Sequence, residues 1–162
     1  MKRVVAFLGC LVMFFFCFVS VNATEIAEES ESILISKTVE YLEDGTKIEI
    51  AVYEDPVATY ASDYMKSGKK VYVATNYSGD VLYKFTVTGV FSIDEGVSAT
   101  CTSASYSTDI INTNWSCKSA TATASGNRAI ANGTFIRKQL GITVETDNVQ
   151  VTLTCDDLGN LS

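Results

Sequence analysis

From residue 36 to the end of the chain, apolar and polar positions mostly alternate. That period of two marks strands with one buried face. The longest such run is Val81–Ser92. Val81, Tyr83, Phe85, Val87 and Phe91 fall on one side; Lys84, Thr86, Thr88 and Ser92 fall on the other. Gly89 interrupts the apolar row, as at a bulge or where another backbone comes close. Shorter alternating runs are Lys70–Thr75, Val97–Ser103, Trp115–Ala124, Arg128–Lys138, Ile142–Val144 and Val149–Cys155. The clusters Asn76-Tyr77-Ser78-Gly79-Asp80 and Ser125-Gly126-Asn127 read as turns. Upstream, Ser36–Leu42 and Lys47–Tyr53 flank Glu43-Asp44-Gly45-Thr46. An Asp-Gly pair between two β-prone runs is a hairpin signal. No long stretch has helical period. The expectation is an all-β antiparallel sandwich of the immunoglobulin-like kind, with a small barrel as the alternative.

The first 23 residues follow another plan. Lys2 and Arg3 precede an apolar run from Val4 to Val19, and Val21-Asn22-Ala23 places small residues at the −3 and −1 positions of a cleavage site. Sixteen apolar residues fall short of the about 20 that span a bilayer. A signal peptide over 1–23, cut after Ala23, predicts a secreted, extracellular protein with no stable membrane insertion. Three parts follow: the signal peptide, an acidic segment 24–69 holding the hairpin and a linker, and a sandwich domain 70–162. The linker, Asp55–Lys70, carries a candidate helical turn near Tyr60–Met65. A lone hairpin is barely stable in water, so the arm either docks on the domain or stays mobile.

Charge sharpens this division. The chain carries −7, with 12 basic and 19 acidic residues. Residues 24–63 hold eleven acids against Lys37 and Lys47, whereas 64–162 balance eight acids with eight bases. An acidic chain offers phosphates no basic face, so nucleic acid is not an expected partner. The chain has no histidine. A Ser-His-Asp triad, a Cys-His pair and a histidine-ligated metal are all excluded.

Five cysteines occur, and Cys10 and Cys17 leave with the signal peptide. Cys101, Cys117 and Cys155 sit at inward strand positions and allow three single pairings. Cys101–Cys155 is expected as a disulfide, since both lie near strand ends and the bridge would tie down the C-terminus. Cys117, beside Trp115, is then a buried free thiol. The acid pairs Asp156-Asp157, Asp94-Glu95 and Glu54-Asp55 fall in turns or at strand ends and read as solvated groups. Loop carboxylates such as Asp156 and Asp157 suit calcium, but no EF-hand spacing is present, so neither a metal nor another cofactor is expected. No catalytic residue emerges. Tyr53, Tyr60, Tyr64, Tyr72, Tyr77 and Tyr106 are candidates for partial exposure and so for contacts with sugar or protein. Sequons at Asn76, Asn114, Asn132 and Asn160 are glycan acceptors only in a eukaryote.

Several stretches together resemble a group of small secreted β proteins of Gram-positive anaerobic bacteria. They are Tyr41-Leu42-Glu43-Asp44-Gly45, Thr88-Gly89 with Phe91, Ser98–Ser105 around Cys101, Asn114-Trp115, Ser125-Gly126-Asn127 and Leu153-Thr154-Cys155. The likeness covers most of 38–162 and consists of turns and core positions. It implies export, a β fold and a bacterial source, and it brings no activity with it. The functional expectation is an exported, non-enzymatic binding or interaction protein whose partner is a protein or a glycan. The alternatives are a small carboxylate-dependent polysaccharide hydrolase and a secreted toxin or inhibitor, whose mark would be an exposed apolar patch.

Overall fold

In the computed structural model, residues 31–56 and 64–162 are described; the predicted signal peptide lies outside them. Among the described residues, eight strands follow one another without a helix: β1 Ile33–Tyr41, β2 Lys47–Glu54, β3 Tyr64–Thr75, β4 Val81–Asp94, β5 Ser98–Ile110, β6 Trp115–Ser125, β7 Arg128–Gln139 and β8 Ile142–Thr154. They form two antiparallel sheets, one of five strands ordered β1-β2-β3-β4-β5 and one of three ordered β6-β7-β8. The all-β sandwich expected from the alternation is what the chain adopts. Every paired neighbour among the described strands is also a neighbour in sequence. The strand order is therefore a plain meander in each sheet, not the Greek key of an immunoglobulin sandwich.

The core lies where β3, β4 and β5 face the smaller sheet. Tyr83, Phe85, Val87 and Phe91 of β4 are fully buried, as are Ala129, Ala131 and Phe135 of β7 and Leu153 of β8. Phe135 stacks on Tyr83 with ring centroids 4.1 Å apart and meets Phe85 edge-on at 5.4 Å. Gly89 faces inward, and a Cβ there would come within 2.8 Å of Ala129 Cβ and of the Phe91 ring. The close approach that its place in the apolar row suggested is between the two sheets.

The hairpin is not a separate arm. β2 pairs with β3 from Lys47–Thr75 to Glu54–Gly68, so β1 and β2 extend the larger sheet. Residues 64–69, read from the sequence as linker, are the first half of β3. Of the candidate helical turn, Tyr64 and Met65 are strand, and 60–63 lie outside the described residues. Polar residues hid this half-strand. Its inward positions are Lys66 and Gly68, and the buried Lys66 ammonium pairs with Glu54 at 3.0 Å.

The expected Cys101–Cys155 bridge is not formed; Cys101, Cys117 and Cys155 are all free thiols. The Cys101 and Cys155 backbone N–H groups donate to consecutive carbonyls of the β6–β7 turn, Gly126 at 2.7 Å and Asn127 at 3.0 Å. Their Sγ atoms meet local acceptors, Ser103 O at 3.2 Å and Asp156 O at 3.5 Å. Burial pushes both thiols up, Cys155 to about 11. Protonated thiols are poor partners in disulfide exchange. Cys117 is half-buried against the core rather than sealed within it.

Candidate functional site

Four connections meet at one end of the sandwich: β1–β2, β3–β4, β5–β6 and β7–β8. Each is held by its own side chains or backbone. Asp44 Oδ1 accepts the Thr46 N–H at 2.8 Å, which fixes the Asp-Gly turn. Asn76 Oδ1 accepts the N–H groups of Ser78 and Asp80, both at 2.9 Å. Asn112 Oδ1 accepts the Asn114 N–H at 3.0 Å, and Leu82 O accepts the N–H groups of Ile111 and Asn112. At the base of the β7–β8 hairpin, Arg137 Nε donates to Glu145 Oε2 at 2.7 Å.

Between these connections lie two adjoining clefts of about 320 and 270 Å³, which share Asp44, Thr46, Leu82 and Glu145. The first adds Tyr77, Asn112, Asn114, Trp115 and Arg137. The second adds Tyr72, Thr146, Asp147 and Asn148. The site thus combines carboxylates, amides and aromatic rings. Tyr77 stands 85% exposed at the rim, whereas Trp115 is 4% exposed and forms part of the wall.

The second cleft is anchored by a buried tyrosine. Tyr83 donates its hydroxyl to Asp147 Oδ2 at 2.9 Å. Its ring is pinned between Phe135 and Trp115, the latter at 5.2 Å, and Tyr72 stacks beside it at 6.3 Å. Asp147 occupies an inward position, in step with Val149, Val151 and Leu153. Burial raises its carboxyl above its ordinary value. The Tyr83 hydrogen bond opposes the rise, and the charges of Glu145 and Asp44 add to it. Burial likewise lifts Tyr72 to about 12 and pushes Tyr83 well above the ordinary phenol value. Asp44 moves the other way, held below its usual value by the hydrogen bond from Thr46.

The residues singled out in the sequence lie elsewhere. Cys101 and Cys155 sit at the opposite end of the sandwich, beside the β6–β7 turn. Asp156 is taken up by the C-terminal turn, where it accepts from Leu158 N, Asn160 N and Asn160 Nδ2 at 3.0, 2.7 and 2.8 Å. Glu54 pairs with Lys66, and Asp55 accepts the Ser32 and Ser67 hydroxyls, both at 2.7 Å. Among the described residues, no three Asp, Glu or Cys side chains converge as a metal site would require. Of the candidate tyrosines, Tyr72 and Tyr77 reach the clefts. Sequence reading missed Asp147. The signal available was parity, an acid in step with the apolar row of β8. No family model, curated protein or solved structure matches the chain.

Proposed function

We propose that this is an exported, non-enzymatic binding module that takes a glycan in the paired clefts at the open end of the sandwich. The observation that carries this reading is the make-up of the clefts: carboxylates and amides beside an exposed Tyr77 ring, over a floor fixed by Tyr83 and Asp147. Carboxylate and amide groups hydrogen-bond hydroxyls, and an aromatic ring stacks on the apolar face of a sugar. Export rests on the pattern of residues 1–23.

The test is co-sedimentation of the exported chain with purified peptidoglycan and other insoluble polysaccharides, with and without EDTA. Saturable binding is expected, unaffected by EDTA and lost in a Tyr77→Ala/Asn114→Ala variant. Failure to bind any polymer overturns the glycan reading and leaves a protein partner. A second reading, a carboxylate-dependent hydrolase, draws on one observation. Asp147 is raised and Asp44 lowered along the same cleft, and acids driven apart in this way can divide acid and base roles. Release of reducing ends from a bound polysaccharide would replace the first reading with this one.

A further inference from the structure

Among the described residues, the larger sheet ends on β1 as an open edge. All nine residues of β1 are exposed. Ile33, Leu34, Ile35, Val39, Tyr41 and Leu42 are large exposed apolar side chains concentrated on this strand and its end. The facing sheet packs against β3, β4 and β5 and leaves β1 uncovered. Among the described residues, no strand pairs with its outer edge. Natural edge strands are shortened, bulged, charged or interrupted by proline, because a bare edge recruits another strand. Here a bulge between Leu34 and Ser36 leaves Ser36–Tyr41 regular, and the single lysine, Lys37, is engaged by Glu49 at 2.7 Å.

We propose that this edge binds a second copy of the chain, β1 against β1 antiparallel, about a two-fold axis at Thr38. The register follows from the side chains. Centring on Lys37 would set two lysines opposite each other, and like charges in direct register are destabilising. Centring on Val39 would set two apolar residues against acids, Ile35 against Glu43 and Leu34 against Asp44. Centring on Thr38 sets Lys37 opposite Val39, Ser36 opposite Glu40, Ile35 opposite Tyr41 and Leu34 opposite Leu42, with no like-charge pair and only Ile33 against an acid, Glu43. β1 carries one positive and one negative residue, so the two copies meet along a neutral strip of an otherwise acidic protein. The product is a continuous ten-stranded sheet, twice the five strands of one copy. Because each smaller sheet sits over β3–β5, the two do not collide. This inference is independent of the glycan clefts.

The test is sedimentation velocity of the exported chain, in reductant so that cysteine cross-links do not contribute. A concentration-dependent dimer is expected. Val39→Lys would set the introduced ammonium opposite Lys37 of the other copy, twice per dimer, and weaken the dimer about tenfold or more. Within one copy, position 39 pairs with Glu49, so the melting temperature of the dilute variant should hold. In a Cys117→Ser background, Thr38→Cys should cross-link on mild oxidation into a dimer that reductant reverses, and Ser36→Cys should not. A chain monomeric at every concentration overturns the proposal. So does a dimer untouched by Val39→Lys, or one in which the Thr38→Cys variant fails to cross-link.

Discussion

Replacing Tyr83 by Phe isolates one hydrogen bond. The ring is fully buried, and its stacking on Phe135 at 4.1 Å and its contact with Trp115 at 5.2 Å survive the change. What is lost is the hydroxyl donated to Asp147 Oδ2 at 2.9 Å. With Asp147 ionised, that bond has a charged acceptor, and its loss costs about 2 kcal/mol. For a domain of this size such a loss lowers the melting temperature by roughly 6–10 °C. Once Asp147 is protonated the bond is between neutral groups, and the cost falls to about 1 kcal/mol.

The penalty of Tyr83→Phe should therefore depend on pH. The Tyr83 donor holds the Asp147 carboxyl down against burial. Removing it pushes that carboxyl further up, so the variant loses stability as pH rises towards neutral and approaches the wild type in acid. Thermal melts followed by circular dichroism, taken across the acid-to-neutral range, read both numbers. A penalty of the same size at every pH would refute the reasoning. So would the absence of any penalty, which would mean that water entering through the cleft replaces the hydroxyl.

The remaining predictions rest on single features. The raised carboxyl of Asp147 means that its proton is held more tightly in the folded chain than in the unfolded one. The resulting stability is present in acid and lost as pH rises through the raised value. Asp147→Asn, which keeps an acceptor for Tyr83, should thus melt above the wild type near neutral pH, with the gap closing in acid. Gly89→Ala should cost about 1–3 kcal/mol in urea unfolding, because its Cβ would meet Ala129 and a stiff Phe91 ring at 2.8 Å. Cys101→Ser and Cys155→Ser should each lower the melting temperature more than Cys117→Ser, since the first two are buried and the third is only half-buried; the reverse order would contradict the packing.

The legible parts of this fold are those where apolar residues repeat every second position without a break. The β4 row of Tyr83, Phe85, Val87 and Phe91 and the β8 row of Val149, Val151 and Leu153 are buried as their alternation implies. The pattern fails where inward positions are filled by small or polar residues. β5 continues to Ile110, seven residues past Ser103, because its inner side there is Ala104, Tyr106 and Thr108. β8 is unbroken across Glu145, Thr146, Asp147 and Asn148, four polar residues that read as an interruption. The first half of β3 hides behind Lys66 in the same way. The candidate site was illegible for a related reason. Its parts come from four connections far apart in sequence, and the only local clue, an acid in phase with an apolar row, looks like the end of a strand. Asp44 was visible only as a turn residue, which it also is.

If the edge pairing and the clefts act together, the symmetry decides what a dimer can do. A two-fold axis perpendicular to the sheet reverses the direction of β1 between the copies. The β1–β2 turn, which brings Asp44 to the clefts, lies at the end where β1 finishes. The two pairs of clefts therefore open at opposite ends of the ten-stranded sheet. Two sites on a rigid body raise avidity only when one ligand can reach both. With the sites facing away from each other, a single stiff chain cannot wrap back to fill both, so each dimer joins two chains. The wild-type protein should then bundle a fibrous polysaccharide, seen as rising turbidity as protein is added. Val39→Lys should bind the same polymer with unchanged saturation and bundle it less. A variant that binds and bundles like the wild type would show that β1 does not join the copies, whatever the clefts bind.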